Sequence, residues 1–192
     1  MAAPKILAFA GSLRTDSYNK KVLKIAVRGA REAGGEVTEI DLRELAMPIY
    51  DADLQASDGF PANAKKFKEL FAAHAGLLIA SPEYNFGMSG ALKNALDWAS
   101  RGEGKEPAYT ATQGKFAVMM SASPGIYGGV RGLIQLRTVL AGMRITALAS
   151  QVAVTSAKES FNADGTLKSP EITAEVVALG ANLVKFLGKL TS

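Results

Sequence analysis

Short apolar runs alternate along this chain with longer stretches of helical spacing. Residues 5–10 read as a strand, and residues 18–33 follow as an amphipathic helix with Val22, Leu23, Ile25, Ala26 and Ala30 on its apolar stripe. Ala33, Gly34 and Gly35 end that helix, since glycine readily takes the left-handed cap conformation. Residues 36–41, with Val37 and Ile40, suit a second strand. Residues 42–61 are the least regular stretch, holding Pro48, Gly59, Pro61 and several acidic side chains. Helical spacing returns over 62–73 through Ala64, Phe67, Leu70 and Phe71, and 77–80 is a candidate buried strand. A helix over 90–100, a strand over 115–120, a glycine-rich loop over 125–129 and a helix over 130–141 come next. A fifth strand covers 145–149, with Val152, Ala153 and Val154 as its extension, then a surface loop over 160–170 and a closing helix over 171–190.

Strands separated by helices predict a parallel sheet covered on both faces. Right-handed crossovers leave few topologies, and the five-stranded flavodoxin-like order 2-1-3-4-5 is the expected one. No repeat, low-complexity tract or linker interrupts the pattern, so residues 1–192 are expected to form one domain. Ligands of such sheets bind beyond the carboxyl ends of the strands where the strand order reverses, here between strands one and three. The loops after those two strands carry the densest chemistry in the chain.

The first loop, residues 11–19, places Ser12, Thr15 and Ser17 hydroxyls, the Asn19 amide and the Arg14 guanidinium around a helix start. Unpaired N–H groups and the positive end of the helix dipole stabilise a phosphate there, and Gly11 allows the sharp turn. The plainer reading is an ordinary helix start with Asp16 or Ser17 as N-cap; Asp16 itself is expected to face solvent. The Walker pattern and the G-x-G-x-x-G fingerprint are both absent after this strand. The second loop, residues 81–87, mixes Pro82, Glu83, Tyr84, Asn85 and Phe86 with Gly87. An isoalloxazine ring needs such a mixture of apolar faces and backbone hydrogen bonds, so the two loops together point to flavin mononucleotide (FMN). The plainer reading of residues 89–100 is a helix with Ser89 as N-cap and Leu92, Leu96 and Trp98 in the core.

At these residues the chain resembles the NADPH-dependent FMN reductase family, which includes quinone reductases and chromate reductases of flavodoxin-like fold. The pattern G-S-x-R-x-x-S-x-N matches Gly11, Ser12, Arg14, Ser17 and Asn19. P-E-Y-N matches residues 82–85, and G-x-L-K-N-A-x-D-W matches residues 90–98. The resemblance implies that Ser12, Arg14, Ser17 and Asn19 hold the FMN phosphate and that Pro82, Glu83, Tyr84 and Asn85 hold the ring. Ser121 and Gly125 of the third loop would flank the ring's other side, the alternative being glycines placed there for close packing. Ser89 departs from the proline many relatives carry and is expected to loosen the loop slightly. NADPH or NADH would pass hydride to the ring in a ping-pong cycle with a quinone, chromate or similar acceptor, and no side chain is required as a catalytic residue. A homodimer or tetramer is implied, with residues 47–60 as a candidate contact region. Arg101 would complement a helix C-terminus or reach the partner's flavin mouth to attract anionic substrates.

Composition narrows the partners. The chain has 192 residues, 48% hydrophobic and 21% charged, with no cysteine and a formal net charge of +4. Disulfides, cysteine metal sites and thiol redox chemistry are thereby excluded, and no metal site is expected. No apolar stretch is long enough to span a membrane, so a cytoplasmic location is the default. The densest basic cluster, Lys65, Lys66 and Lys68, reads as a solvated helix face rather than a nucleic-acid patch. A hydrolase is disfavoured because residues 87–91 lack the G-x-S-x-G elbow and the sole histidine, His74, precedes them; it is expected to cap a helix or lie at the surface. The other alternative is a flavodoxin-like electron carrier without NAD(P)H turnover, which tends to be strongly acidic.

Overall fold

Beyond Lys5, every residue of β1 (Lys5–Ala10) is buried in a computed structural model that describes residues 2–190. β3 (Gly76–Ala80) is buried throughout and pairs with β1 in parallel, from Ile6 opposite Gly76 to Ala10 opposite Ala80. Strands covered on both faces carry such unbroken apolar runs. β2 (Glu36–Asp41) flanks β1, while β6 (Phe116–Ala122) joins β3 and β7 (Thr146–Val154) closes the far edge. A hairpin of β4 (Glu83–Tyr84) and β5 (Gly87–Met88) lies apart from that sheet. The main sheet therefore runs β2-β1-β3-β6-β7, which is the expected 2-1-3-4-5 order among its own strands.

Alternate strand residues divide the core between two helical layers. Ile6, Ala8, Leu78 and Val118 pack against α1 (Tyr18–Glu32) and α7 (Pro170–Leu190). Leu7, Phe9, Leu77 and Ile79 pack against α3 (Ala62–Ala73), α4 (Gly90–Ala99) and α5 (Val130–Gly142). α1 and α7 cross in close backbone contact at two glycines. A Cβ on Gly180 would lie 1.9 Å from the Ala26 carbonyl oxygen, and one on Gly29 would lie 2.1 Å from that of Val177.

The hairpin β4–β5 lies in a stretch that reads as loop, and three further elements depart from the expected pattern. The irregular stretch contains α2 (Ala52–Asp58), capped by the Asp51 carboxylate and ended at Gly59. It buries no residue, so it has no apolar stripe to read. A one-turn helix, α6 (Ala157–Ser160), precedes the surface loop. The fifth strand is continuous through Val154, but its register against β6 shifts between Ala117 and Met119. The carbonyls of Ala147 and Leu148 in this irregular part accept hydrogen bonds from Arg137.

Two basic side chains also differ from expectation. Lys68 is buried rather than solvated; it pairs with Glu106 and lies 4.9 Å from the Phe60 ring centroid. His74 does cap α3, yet it is buried, with Nδ1 at 2.6 Å from the Leu70 carbonyl oxygen and Nε2 at 2.8 Å from Thr38 Oγ1. Its two partners account for that burial.

The helix crossing gives a direct test of the packing. Overpacking against backbone costs about 1–3 kcal/mol, set against about 1 kcal/mol that alanine gains over glycine in helix propensity. Because the clash is with backbone, which cannot swing aside, the upper end of that cost applies, and Gly180→Ala is expected to lower stability by about 2 kcal/mol, read from urea unfolding by circular dichroism. An unchanged or raised midpoint would contradict the crossing.

Candidate functional site

β1 ends at Ala10, and the chain turns at Gly11, whose amide donates to the Ala80 carbonyl at 2.8 Å. A Cβ on Gly11 would lie 2.8 Å from Leu92 Cβ, so only glycine lets the first loop pass this close to α4. Ser17 is the N-cap of α1, its Oγ accepting from the Asn19 amide at 3.2 Å. The amides of Ser12, Leu13, Thr15, Asp16 and Ser17 make no hydrogen bond to any described residue. Arg14 is exposed, and its guanidinium has no hydrogen bond or ion pair among them. Asp16 faces solvent as expected, its side chain 77% exposed and paired with Lys21 at 2.6 Å. The hydrogen bond from Lys21 holds its carboxyl below the usual range. What remains is a cluster of free donors at the positive end of a helix, which suits an anion.

Asn19 has a second task. Its Nδ2 donates to the Ala122 carbonyl at 2.9 Å, and its Oδ1 accepts from the Ala122 amide at 3.1 Å. The side chain is thus committed to the end of β6, and its contribution to the cradle is to fix where α1 begins.

After β3, Ser81 donates its amide to the Met120 carbonyl at 2.9 Å, and Pro82 is buried. The hairpin β4–β5 then turns on Asn85 and Phe86, at φ 50° and 67°. A two-residue hairpin turn of type I′ demands positive φ at both positions. Phenylalanine there costs roughly 1–2 kcal/mol, since its Cβ crowds the following carbonyl. The hairpin is held by Glu83, whose side chain is 9% exposed. Its Oε1 accepts from Arg131 Nη2 at 2.9 Å, and its Oε2 accepts from the Gly132 amide at 3.0 Å. Arg131 in turn lies 3.9 Å from the Phe86 ring centroid and 4.6 Å from that of Tyr127. Tyr84 is 51% exposed and Phe86 60%, so the hairpin presents aromatic surface just past the end of β3, the strand that pairs with β1.

Arg131 is the residue that the sequence reading missed. It occupies the first turn of α5, where the helix dipole disfavours a cation. That local conflict is a signal for a carboxylate partner, and Glu83 is the partner.

Ser89, expected to loosen the loop, instead tightens it. Its Oγ donates to the Gly11 carbonyl at 2.5 Å and accepts from the Leu92 amide at 3.1 Å, capping α4 and tying both loops together. Leu92, Leu96 and Trp98 are fully buried, as the plain reading has them.

In the third loop Gly128 and Gly129 take φ of 60° and 90°. A Cβ on Gly129 would lie 2.0 Å from Ser121 Oγ, so close packing accounts for that glycine. Ser121 is fully buried and its Oγ has no hydrogen-bond partner among the described residues; the structure does not bring it to the surface. Gly125 is exposed at the loop's tip. Arg101 follows the Ser100 C-cap of α4, its Nε donating to the Asp97 carbonyl at 3.2 Å and its guanidinium 4.8 Å from the Tyr50 ring centroid. Among the described residues no group of three or more His, Cys, Asp or Glu could hold a metal ion, and no helix is long and apolar enough to cross a membrane.

Comparison with known proteins finds similarity to flavin-dependent reductases. The sequence model of the family described as NADPH-dependent FMN reductase matches residues 4–159. An NAD(P)H-dependent FMN reductase of Pseudomonas aeruginosa is 38% identical over 164 residues, 85% of this chain and 84% of that protein. A quinone reductase of Escherichia coli is 36% identical over 137 residues, 71% of this chain and 69% of that one. Among solved structures, a flavoenzyme NAD(P)H:(acceptor) oxidoreductase from Paracoccus denitrificans superposes with a TM-score of 0.81 at 25% identity, covering 97% of this chain and 98% of the other.

The Glu83 anchor is testable without any ligand. Glu83→Ala leaves Arg131 and the Gly132 amide without their acceptor. Because the Arg131 side chain is 40% exposed, the expected loss is about 1–2 kcal/mol rather than that of a fully buried pair. Urea unfolding together with faster proteolysis within residues 83–88 would show it; wild-type behaviour in both would dismiss the anchor.

Proposed function

The chain belongs to the NADPH-dependent FMN reductase family, and from that premise we propose that it passes electrons from NAD(P)H through one bound FMN to quinones and similar small acceptors. The single observation supporting this reading is that β1 and β3 end side by side, one leading into a loop with free backbone donors and Arg14 and the other into an aromatic hairpin. The donors at the start of α1 suit a dianionic phosphate monoester, and a hairpin with exposed Tyr84 and Phe86 suits the edge and face of a flat ring.

In this reading Ser12, Arg14 and Ser17 hold the phosphate, with the amides of the loop as further donors and Asn19 setting the helix start. Pro82 and the backbone of Glu83, Tyr84 and Asn85 hold the ring, since the Glu83 side chain is already spent on Arg131 and Gly132. Gly125 borders the ring from the third loop, and Ser121 acts from beneath it as packing. Bound FMN supplies hydride acceptance and electron donation. The protein's part is to orient the ring and leave one face open, so no side chain acts as a proton donor or nucleophile. One open face shared by donor and acceptor implies ping-pong kinetics.

The reading extends to one flavodoxin-like domain and to assembly as a homodimer or tetramer. Ile49, 78% exposed in the stretch between β2 and α3, belongs to the contact region of such an assembly. Arg101, held over Tyr50, then faces the partner's site and draws in anionic acceptors, chromate and other oxidised metal anions among them.

Purified protein is expected to be yellow, to release FMN on denaturation, and to oxidise NAD(P)H only when a quinone is present. Initial rates at varied quinone should give parallel double-reciprocal lines. A colourless protein that takes up no FMN, or a yellow one without turnover on either nicotinamide, would overturn the reading. Arg101→Ala is expected to raise KM for an anionic acceptor severalfold with FMN content intact; unchanged kinetics would remove that residue's role.

A further inference from the structure

A cleft of about 760 Å³ opens on the side of the first loop opposite the ring platform. The sheet order sets that geometry: β3, which leads into the hairpin, lies on one side of β1, and β2 lies on the other. The cleft is bounded by Thr15, Asp16 and Ser17 of the loop, by α1, by the end of β2 and by α3. It is therefore contiguous with the phosphate cradle but separate from the ring.

Its charges do not cancel. Among the acids lining it, Asp41 pairs with Lys20 at 2.5 Å and Asp16 with Lys21 at 2.6 Å, while Glu39 pairs with Arg31 at 2.8 Å. Burial works to raise the Asp41 carboxyl, but the hydrogen bonds from Lys20 and the Arg43 amide outweigh it and keep it below the usual range. Glu44, together with the attraction of Asp41 for Arg43, is what opposes the other cations. Lys24 and Lys66 make no hydrogen bond or ion pair among the described residues, and the Arg43 guanidinium reaches only Thr15 Oγ1, at 2.5 Å. The floor is apolar, formed by Ala10, Leu23, Ile40 and Leu45. Uncompensated cations over an apolar floor match a phosphate joined to a flat heterocycle, and the volume lies within the range of small-ligand sites.

We propose that this cleft is an adenosine-phosphate subsite beside the flavin site. Two molecules present that group here: FAD, whose first phosphate would lie in the loop with its adenylate half continuing over Thr15, and NADPH, through its 2′-phosphoadenosine end. The inference rests on the flavin reading, because the first loop must hold the flavin phosphate for the cleft to lie next to it.

Flavin-free protein is titrated with FMN and FAD by fluorescence quenching, with chromatography confirming that FAD stays intact. FMN-loaded protein is titrated with 2′,5′-ADP and with 5′-AMP by calorimetry. The charge reversals Lys24→Glu and Lys66→Glu, both at exposed positions without partners, are combined in one variant. The expected result is FAD affinity within tenfold of FMN, or binding of 2′,5′-ADP with 5′-AMP weaker. In either case the double variant should lose at least tenfold on the adenosine ligand while its FMN affinity is unchanged. The first outcome assigns the subsite to the flavin, the second to the nicotinamide donor. FMN binding accompanied by refusal of both FAD and 2′,5′-ADP overturns the subsite and leaves the flavin reading standing. Failure to bind FMN at all overturns both. Adenosine ligands that bind the double variant as tightly as the wild type also overturn the subsite.

Discussion

The parallel register of β1 on β3 governs everything at the carboxyl edge of this sheet. Ala10 and Ala80 end their strands side by side, so the loops after them start within one hydrogen bond of each other, Gly11 to Ala80. Ser89 ties them again by reaching the Gly11 carbonyl, and Asn19 anchors the start of α1 to the end of β6 through both backbone groups of Ala122. These bonds leave the amides of the first loop free while fixing where they lie. A binding site needs that combination, because donors already held in place lose little freedom when a ligand arrives.

The hairpin after β3 shows how an exposed aromatic surface is maintained against local preference. Phe86 sits in a left-handed conformation that a bulky side chain avoids, and Arg131 sits at the wrong end of a helix. Each conflict is relieved by the other's neighbourhood. Glu83 neutralises Arg131 and takes up the Gly132 amide, and Arg131 lies over the Phe86 ring. The polar pair thus orders an aromatic surface that would otherwise have few contacts to hold it.

The fold was largely legible because its signals are periodic. Buried strands such as Leu77 to Ala80 read as apolar runs, and Ala64, Phe67, Leu70 and Phe71 gave α3 its helical stripe. α2 was not legible since it buries nothing, and the hairpin was not because Asn85-Phe86 lacks the glycine that usually marks such a turn. At the site, residue types were readable but their partners were not. Asn19 and Glu83 look like ligand groups in sequence, yet their side chains bond Ala122 and Gly132, 103 and 49 positions further along the chain. Lys68 shows the same limit, its burial depending on Glu106 and Phe60, which sequence spacing does not bring near.

The central claim is that the loops after β1 and β3 are opposite ends of one FMN site, the first holding the phosphate. The affinities of flavin-free protein for FMN and for riboflavin, which lacks only the phosphate, test it most directly. With charge-assisted hydrogen bonds worth about 1.5–3 kcal/mol each, riboflavin should bind at least about 100-fold more weakly than FMN. Arg14→Ala should narrow that gap by weakening FMN alone. Equal affinities for the two flavins, or an Arg14→Ala variant that weakens both alike, would contradict the account.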